Sequence, residues 1–182
     1  MSRWISVYCQ KPIKEFRSST LDDLIKQKMP KWAEYFSVVK VTEYRRAGRG
    51  SLFHLNYRIR KDKLHKNSPA ATEARVRGGV QIVIHIVSEP DDVACQLQEQ
   101  LEEYLMGRNG AGAKVVRDHL PKVKQIFSLC LKQSHYDDRF GRSIAFAAAE
   151  DLARKAKGIF HEDEFGWIKR TRFGNDLVLK DT

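Results

Sequence analysis

The sequence has few cysteines, and none at a spacing that a disulfide framework or a zinc site uses. Three thiols stand far apart among 182 residues, at Cys9, Cys95 and Cys130, and there is no CxxC motif. A disulfide framework needs paired cysteines and a zinc ribbon needs clustered ones, so the count argues against both classes. The pattern predicts reduced, mostly buried thiols in a cytoplasmic protein.

Long apolar runs are also absent. No stretch approaches the roughly 18 consecutive apolar residues that a membrane-spanning helix needs. The opening residues, MSRWISVYCQKPIKEF, do not place an apolar segment after a basic one, as a signal peptide does. We therefore expect no membrane association and no leader, and we predict a cytoplasmic location.

The composition that is present suits a folded protein. Hydrophobic residues make up 42% of the chain and aromatic residues 10%, which is enough for a buried core and too much for wholesale disorder. The length fits one domain over residues 1–182, with a basic part at 1–87 and a charge-balanced part at 88–182.

One glycine-rich stretch, MGRNGAGAKVV at 106–116, has part of the pattern of a phosphate-binding loop. Two of its glycines have the Gly-x4-Gly spacing, but Ala113 separates them from Lys114, and Val115 stands where the Mg²⁺-binding hydroxyl belongs. The residues before it have a helical pattern, whereas a phosphate-binding loop follows a strand. We therefore predict that these glycines end a helix and lead by a flexible connection into 114–120, and we expect no nucleotide cofactor.

No motif for a catalytic nucleophile or a metal is complete. The six histidines form neither HExxH nor a pair with a cysteine at ligand spacing. The segment HEDE at 161–164 has the residue types of a metal site, but neighbouring side chains on a tight turn diverge, which favours a solvated acidic turn. HYDD at 135–138 precedes a predicted helix, where aspartates act as caps. We assign no catalytic residue, no metal and no cofactor, and predict that the protein is not an enzyme.

Hydrophobic periodicity and turn residues predict an α+β fold. Residues 52–60 alternate apolar and polar side chains, and AGRG joins them to 38–46, which is typical of an antiparallel hairpin. Residues 80–87 have β-branched side chains on both faces, which indicates a central strand. Further strands are predicted at 4–9, 122–132, 158–161 and 167–169. The expected architecture is a mainly antiparallel sheet with two principal helices, at 89–107 and 139–157, packed on one face.

Basic residues are concentrated in the first half of the chain. The formal net charge is +10; residues 1–87 hold 18 Lys and Arg against 7 Asp and Glu, whereas residues 88–182 hold 15 against 16. Ten basic residues and only two acidic ones fall within 45–77. A local excess of one sign favours a partner of the opposite sign.

Seven basic residues of the predicted hairpin and the following loop form the candidate partner-binding site, which we call the hairpin cluster. They are Arg45, Arg46, Arg49, Arg58, Arg60, Lys61 and Lys63. Three interpretations fit: an edge strand that charge protects from aggregation, a docking surface for an acidic protein, and a nucleic-acid interface. Arginine's planar fork suits carboxylates and phosphates alike. Phe53 and Tyr57 alternate onto the opposite strand face from Arg58, which disfavours base stacking.

Two stretches resemble segments of small bacterial proteins. RWISVYCQKPIKEF at 3–16 is similar to their opening strand, and RSIAFAAAEDLARKAKGIFHEDEFGWI at 142–168 is similar to a helix–glycine–hairpin ending, with Gly158 after the helix and Trp167 on the last strand. That ending resembles α+β immunity proteins of polymorphic toxin systems. The resemblance implies a non-enzymatic bacterial protein that binds a cognate toxin through an acidic surface of the toxin and neutralises it by occlusion.

The charge pattern also supports an alternative, a nucleic-acid-binding module that uses the basic hairpin at 45–66. For either function we expect a monomer or a small homo-oligomer.

Overall fold

The computed structural model describes residues 2–14, 36–45, 51–59, 81–137, 139–171 and 174–180, and a few positions between 19 and 27. Over 36–45 and 51–59 it describes the backbone alone. The strands within these ranges are β1 (Ser2–Cys9), β2 (Phe36–Arg45), β3 (Ser51–Ile59), β4 (Gln81–Val87), β5 (Gln125–Lys132), β6 (Ile159–Glu162), β7 (Gly166–Thr171) and β8 (Gly174–Leu179). The helices with defined bounds are α1 (Pro90–Tyr104), α2 (Ala111–His119), α3 (Gln133–Tyr136) and α4 (Arg139–Ala156), and a 3₁₀ turn (Leu120–Lys122) follows α2.

The described strands form one eight-stranded sheet in the order β2-β3-β4-β5-β1-β6-β7-β8. Every neighbouring pair is antiparallel. The predicted α+β class with a mainly antiparallel sheet is therefore confirmed. The β2–β3 and β6–β7 hairpins are confirmed as well, and β4 lies between β3 and β5 as its two-sided apolar pattern predicted.

The sheet is covered on both faces, because alternate residues of its central strands point to opposite sides. Ile5 and Val7 of β1 are buried in one apolar cluster with Leu152 of α4. Tyr8 is buried in the other cluster with Val93 of α1. The prediction that the two principal helices pack on one face is thus wrong, because α1 and α4 lie on opposite faces. A helix's apolar stripe shows that the helix is covered, but it does not show which face of a sheet covers it.

Helix α2 and strand β8 were not predicted. Gly110 precedes α2 and Gly112 is its second residue, so these glycines do not lead into a flexible connection. Ala113 and Val116 of this helix are buried. Gly112 lies directly against β8: a Cβ at this position would be 1.7 Å from the carbonyl oxygen of Val178. Glycine lowers helix propensity by about 1 kcal/mol relative to alanine, so the sequence of this segment does not indicate a helix. Packing against β8 stabilises the helix in the folded protein.

Candidate functional site

The structure places the two described members of the hairpin cluster at opposite ends of the β2–β3 hairpin. The Cα of Arg45 pairs with that of Ser51, and the Cα of Arg58 pairs with that of Ser37. Arg58 follows Ser51 on β3 by seven positions, a separation of roughly 24 Å at about 3.4 Å per residue. The remaining members, Arg46, Arg49, Arg60, Lys61 and Lys63, lie outside the described residues. Because β2 is an edge strand, the backbone of Arg45 lies at the rim of the sheet.

The sheet register places Arg45 at the same end of the sheet as a second basic region, which is the cleft described in the next paragraph. Cα partners run from Arg45 in β2 to Ile168 in β7 through Ser51, Ile86, Phe127, Val7 and Phe160. This row crosses six strand spacings, or roughly 29 Å at about 4.8 Å each. Arg45 therefore lies at the same end of the sheet as the C-terminal end of β1.

A cleft of about 420 Å³ opens at this end of the sheet, and we call it the basic cleft. Its charged and polar lining residues, contributed by the segments around β1, α2, α4 and β7, are Gln10, His119, Arg154, Lys157 and Lys169. Among the described residues, no aspartate or glutamate lines it. The sequence gives no sign of this site, because its residues are spread from position 10 to position 169, and all of the charged and polar ones except Gln10 come from the part of the chain with nearly balanced charge.

His119 lines the basic cleft with an uncharged imidazole ring. Its Nε2 lies 2.9 Å from the carbonyl oxygen of Tyr8 and donates to it. Its Nδ1 consequently accepts from the amide nitrogen of Gln10, 3.0 Å away. Burial lowers the pKa of His119, and the positive charges of Lys169 and Lys122 lower it further, although the bond to Tyr8 acts in the opposite direction. The imidazole is therefore uncharged at neutral pH.

Arg154 differs from the lysines of the basic cleft because it is already paired. Asp151 of α4 is buried, and its two carboxylate oxygens accept from Arg154 and from Lys155, the latter at 2.6 Å. Burial works against ionisation of Asp151, but these two hydrogen bonds outweigh it and hold the pKa of the carboxyl below its usual value. The charge of Arg154 is thus partly neutralised before any ligand arrives.

Lys157 and Lys169 are the available cations of the basic cleft. Both side chains are exposed. On β8, Asp176 is the register partner of Lys169, but within the described residues no ion pair joins either lysine to a carboxylate. Two ammonium groups are therefore free to contact an anion.

The acidic segment at 161–164 is only in its second half the solvated turn that the sequence pattern favoured. Glu162 is fully buried and His161 is nearly so, whereas the two acids after them are exposed. The hydroxyl of Tyr136 donates to one carboxylate oxygen of Glu162. The other oxygen accepts from the backbone N–H groups of Glu164 and Phe165, at 3.1 Å and 2.8 Å. These bonds fasten the β6–β7 turn to α3.

The Tyr136 hydroxyl has a structural role as the hydrogen-bond donor to Glu162. Burial raises its pKa, and the hydrogen bond and the charge of Glu162 raise it further. A phenol held protonated in this way donates steadily to one acceptor and does not act as a base. Arg142 covers its ring, with the guanidinium carbon 5.1 Å from the ring centroid.

Comparison of the chain with protein-family models, with curated proteins and with solved structures finds no match. The resemblance to immunity proteins of toxin systems stays a prediction.

The described residues contain no cluster of three or more His, Cys, Asp or Glu side chains that could hold a metal ion. Among the described helices, none has the length and apolar character needed to cross a membrane. The three cysteines are free, but they are not uniformly buried: Cys9 is buried, Cys130 is half-buried, and Cys95 is exposed on α1. The expectation of mostly buried thiols is therefore wrong for Cys95.

Proposed function

We propose that this protein is a non-enzymatic binding protein of the immunity type, which neutralises a cognate toxin by covering an acidic surface of that toxin. The proposal is supported by the placement of basic residues at two separate points along one end of the sheet. Arg45 lies at one point and the basic cleft at the other, with the β7 side of the cleft roughly 29 Å away by strand count. A sheet that holds two basic points at a fixed spacing suits recognition of a folded acidic surface by charge matching.

Acidic residues between the two basic points favour a protein partner over nucleic acid. In the sheet order β4 lies between β2 and β1, and it ends at Val87, at the same end of the sheet. Glu89, Asp91 and Asp92 follow it, and Glu89 and Asp91 are exposed. These carboxylates would repel a continuous phosphate backbone, whereas a protein surface can present charges of both signs.

Nucleic-acid binding is the second candidate, because the net charge is +10 and the excess falls in the hairpin segment. It predicts a different salt dependence. A protein that neutralises several phosphates loses affinity log-linearly as salt rises, and shows little preference among sequences. A toxin complex instead persists as a stoichiometric species at physiological salt.

Co-expression with the protein encoded immediately upstream tests the proposal. We expect that protein to be a large secreted or repeat-bearing toxin that co-purifies in a stoichiometric complex. The double substitution of Arg45 and its sequence neighbour Arg46 by glutamate should weaken the complex by roughly 100-fold or more, since each charge-assisted contact contributes about 1–3 kcal/mol and reversal adds repulsion. The dissociation constant of the purified complex measures this change.

A charge-matched control separates a specific surface from a general effect of net charge. Lys132→Glu and Lys180→Glu make the same change of net charge at exposed positions outside the hairpin cluster, and binding should stay within about threefold. A DNA duplex should bind weakly to the wild-type protein. The proposal fails if the Arg45→Glu/Arg46→Glu variant folds and binds the upstream protein as tightly as the wild type does. It also fails if the duplex binds with a steep salt slope and the upstream protein does not bind.

A further inference from the structure

Lys157 has a backbone conformation that its side chain does not favour. It follows the last residue of α4 and has φ of +52°, in the left-handed region where a Cβ crowds the following carbonyl group. Helices often end with a residue in this conformation, and that residue is usually glycine. Within the described residues no ion pair of Lys157 compensates for the unfavourable conformation. A positive charge near the C-terminus of a helix is favoured by the helix macrodipole, but that preference holds throughout the last turn and does not require a residue with positive φ.

The adjacent glycine is required for a different reason. The backbone N–H of Gly158 donates to the carbonyl oxygen of Ala153 at 2.8 Å, which closes the end of α4. A Cβ on Gly158 would lie 2.9 Å from the carbonyl oxygen of Tyr8, so glycine is needed where β1 passes closest to the end of the helix. Gly158 is therefore not the positive-φ cap that the sequence KAKG indicates, and Lys157 has that conformation instead.

The position of Lys157 becomes understandable from the basic cleft that it lines. Lys169 lines the same cleft from β7, Arg154 contributes a partly neutralised guanidinium, and Gln10 has a second amide N–H besides the one given to His119. Residues kept in unfavourable backbone conformations are concentrated at functional sites. We infer that the basic cleft binds the phosphate group of a small phosphorylated molecule.

Charge and size both point to this class of ligand. Two ammonium groups without an ion pair, and a lining without a carboxylate, in the part of the chain that the structure describes, suit a dianion, and lysine acts on phosphate as a point charge. The volume of about 420 Å³ exceeds that of a bare phosphate ion and falls within the range of small-molecule sites, about 300–1,000 Å³. A ligand of mononucleotide size fits this volume. The inference shares the basic cleft with the toxin-binding proposal but does not depend on it, because a phosphate site needs only the residues that line the cleft and none of the hairpin cluster.

Calorimetric titration of the full-length protein at neutral pH and low ionic strength tests the inference with adenosine monophosphate, inorganic phosphate and adenosine as probes. We expect adenosine monophosphate to bind and adenosine not to bind. Binding of inorganic phosphate as tightly as the nucleotide would identify the free anion as the ligand, whereas weaker binding would identify a phosphate ester. Lys157→Gly and Lys169→Gln should each weaken binding by roughly fivefold or more, and together they should abolish it.

The variants separate a binding role from a structural one. Lys157→Gly places a favoured residue at the positive-φ position, so its midpoint of thermal unfolding should equal or exceed that of the wild type while phosphate binding falls. Lys132→Gln, at the opposite end of the sheet, removes the same charge and should leave binding unchanged. The Arg45→Glu/Arg46→Glu variant should also bind adenosine monophosphate normally. Failure of the wild type to bind either phosphate probe would overturn the inference, as would equal binding by the Lys157→Gly/Lys169→Gln variant or equal binding of adenosine.

Discussion

At the scale of single residues, His119 couples the stability of the fold to pH. Its ordinary pKa of 6.5 is lowered in the folded protein, chiefly by burial. The unfolded chain therefore binds a proton more readily than the folded one, and stability must fall as the pH drops below about 6.5 towards the lowered value. Above that range both states carry a neutral imidazole and the group contributes no pH dependence. Protonation would also put a hydrogen on Nδ1, which now accepts from Gln10.

We predict that His119→Gln reduces the acid sensitivity of the protein. Glutamine keeps an amide N–H donor without titrating in this range. Urea unfolding at several values between about pH 8 and about pH 5 measures the slope of the unfolding free energy. The wild type should lose more stability than the variant below about pH 6.5. Parallel slopes for the two proteins would show that His119 is not held neutral by the fold.

At the scale of secondary-structure elements, Gly112 determines how closely α2 approaches β8. A Cβ there would be 1.7 Å from the carbonyl oxygen of Val178, far inside a contact distance. Gly112→Ala should therefore force α2 and β8 apart and lower the free energy of unfolding by about 3 kcal/mol. Urea unfolding measures the loss, and faster hydrogen exchange of the β8 amides should accompany it.

Gly107→Asn is the matched control for that substitution. Gly107 lies five residues before Gly112, in the α1–α2 connection, and has φ of +73°, but a Cβ there would meet no atom within 4 Å. Asparagine tolerates this conformation, so we expect a change below about 1 kcal/mol. An equal loss in the two variants would mean that the connection as a whole, and not the contact with β8, is sensitive to substitution.

At the scale of the whole molecule, the thiols report on how the two faces of the sheet are covered. Cys9 lies in the cluster under α4, and burial raises the pKa of its thiol to about 12. Cys95 is exposed on α1, on the opposite face. Only the thiolate is nucleophilic. Cys9 is therefore protected from alkylation in two ways, because a reagent cannot reach it and because its thiol stays protonated.

Alkylation by iodoacetamide should consequently begin at Cys95 and reach Cys9 only when the molecule unfolds. Peptide mass spectrometry after timed exposure follows each site. Cys95→Ser should remove the fast phase, and urea at the unfolding midpoint should bring Cys9 close to the rate of a free thiol. Rapid labelling of Cys9 in the native protein would contradict a closed core under α4.

The features that the sequence alone predicted correctly are those that depend on residues close together in the chain. Alternation with a period of two marked β3, two-sided apolar content marked β4 as central, and turn residues separated β6 from β7. Each signal depends on residues a few positions apart, which is the range over which backbone propensity and side-chain periodicity act. The charge excess in the first half of the chain is likewise a property of the sequence, because counting needs no fold.

The tertiary structure decided the features that depend on long-range contact. Glu162 looks like part of an acidic turn in the sequence and is fully buried, because α3 brings Tyr136 to it. The basic cleft exists because four separate parts of the chain meet at one end of the sheet, and Lys157 takes the positive φ because Gly158 must lie against β1. Burial, the face a helix covers and the meeting of distant charges are set by packing between elements, and local pattern has no information about that packing.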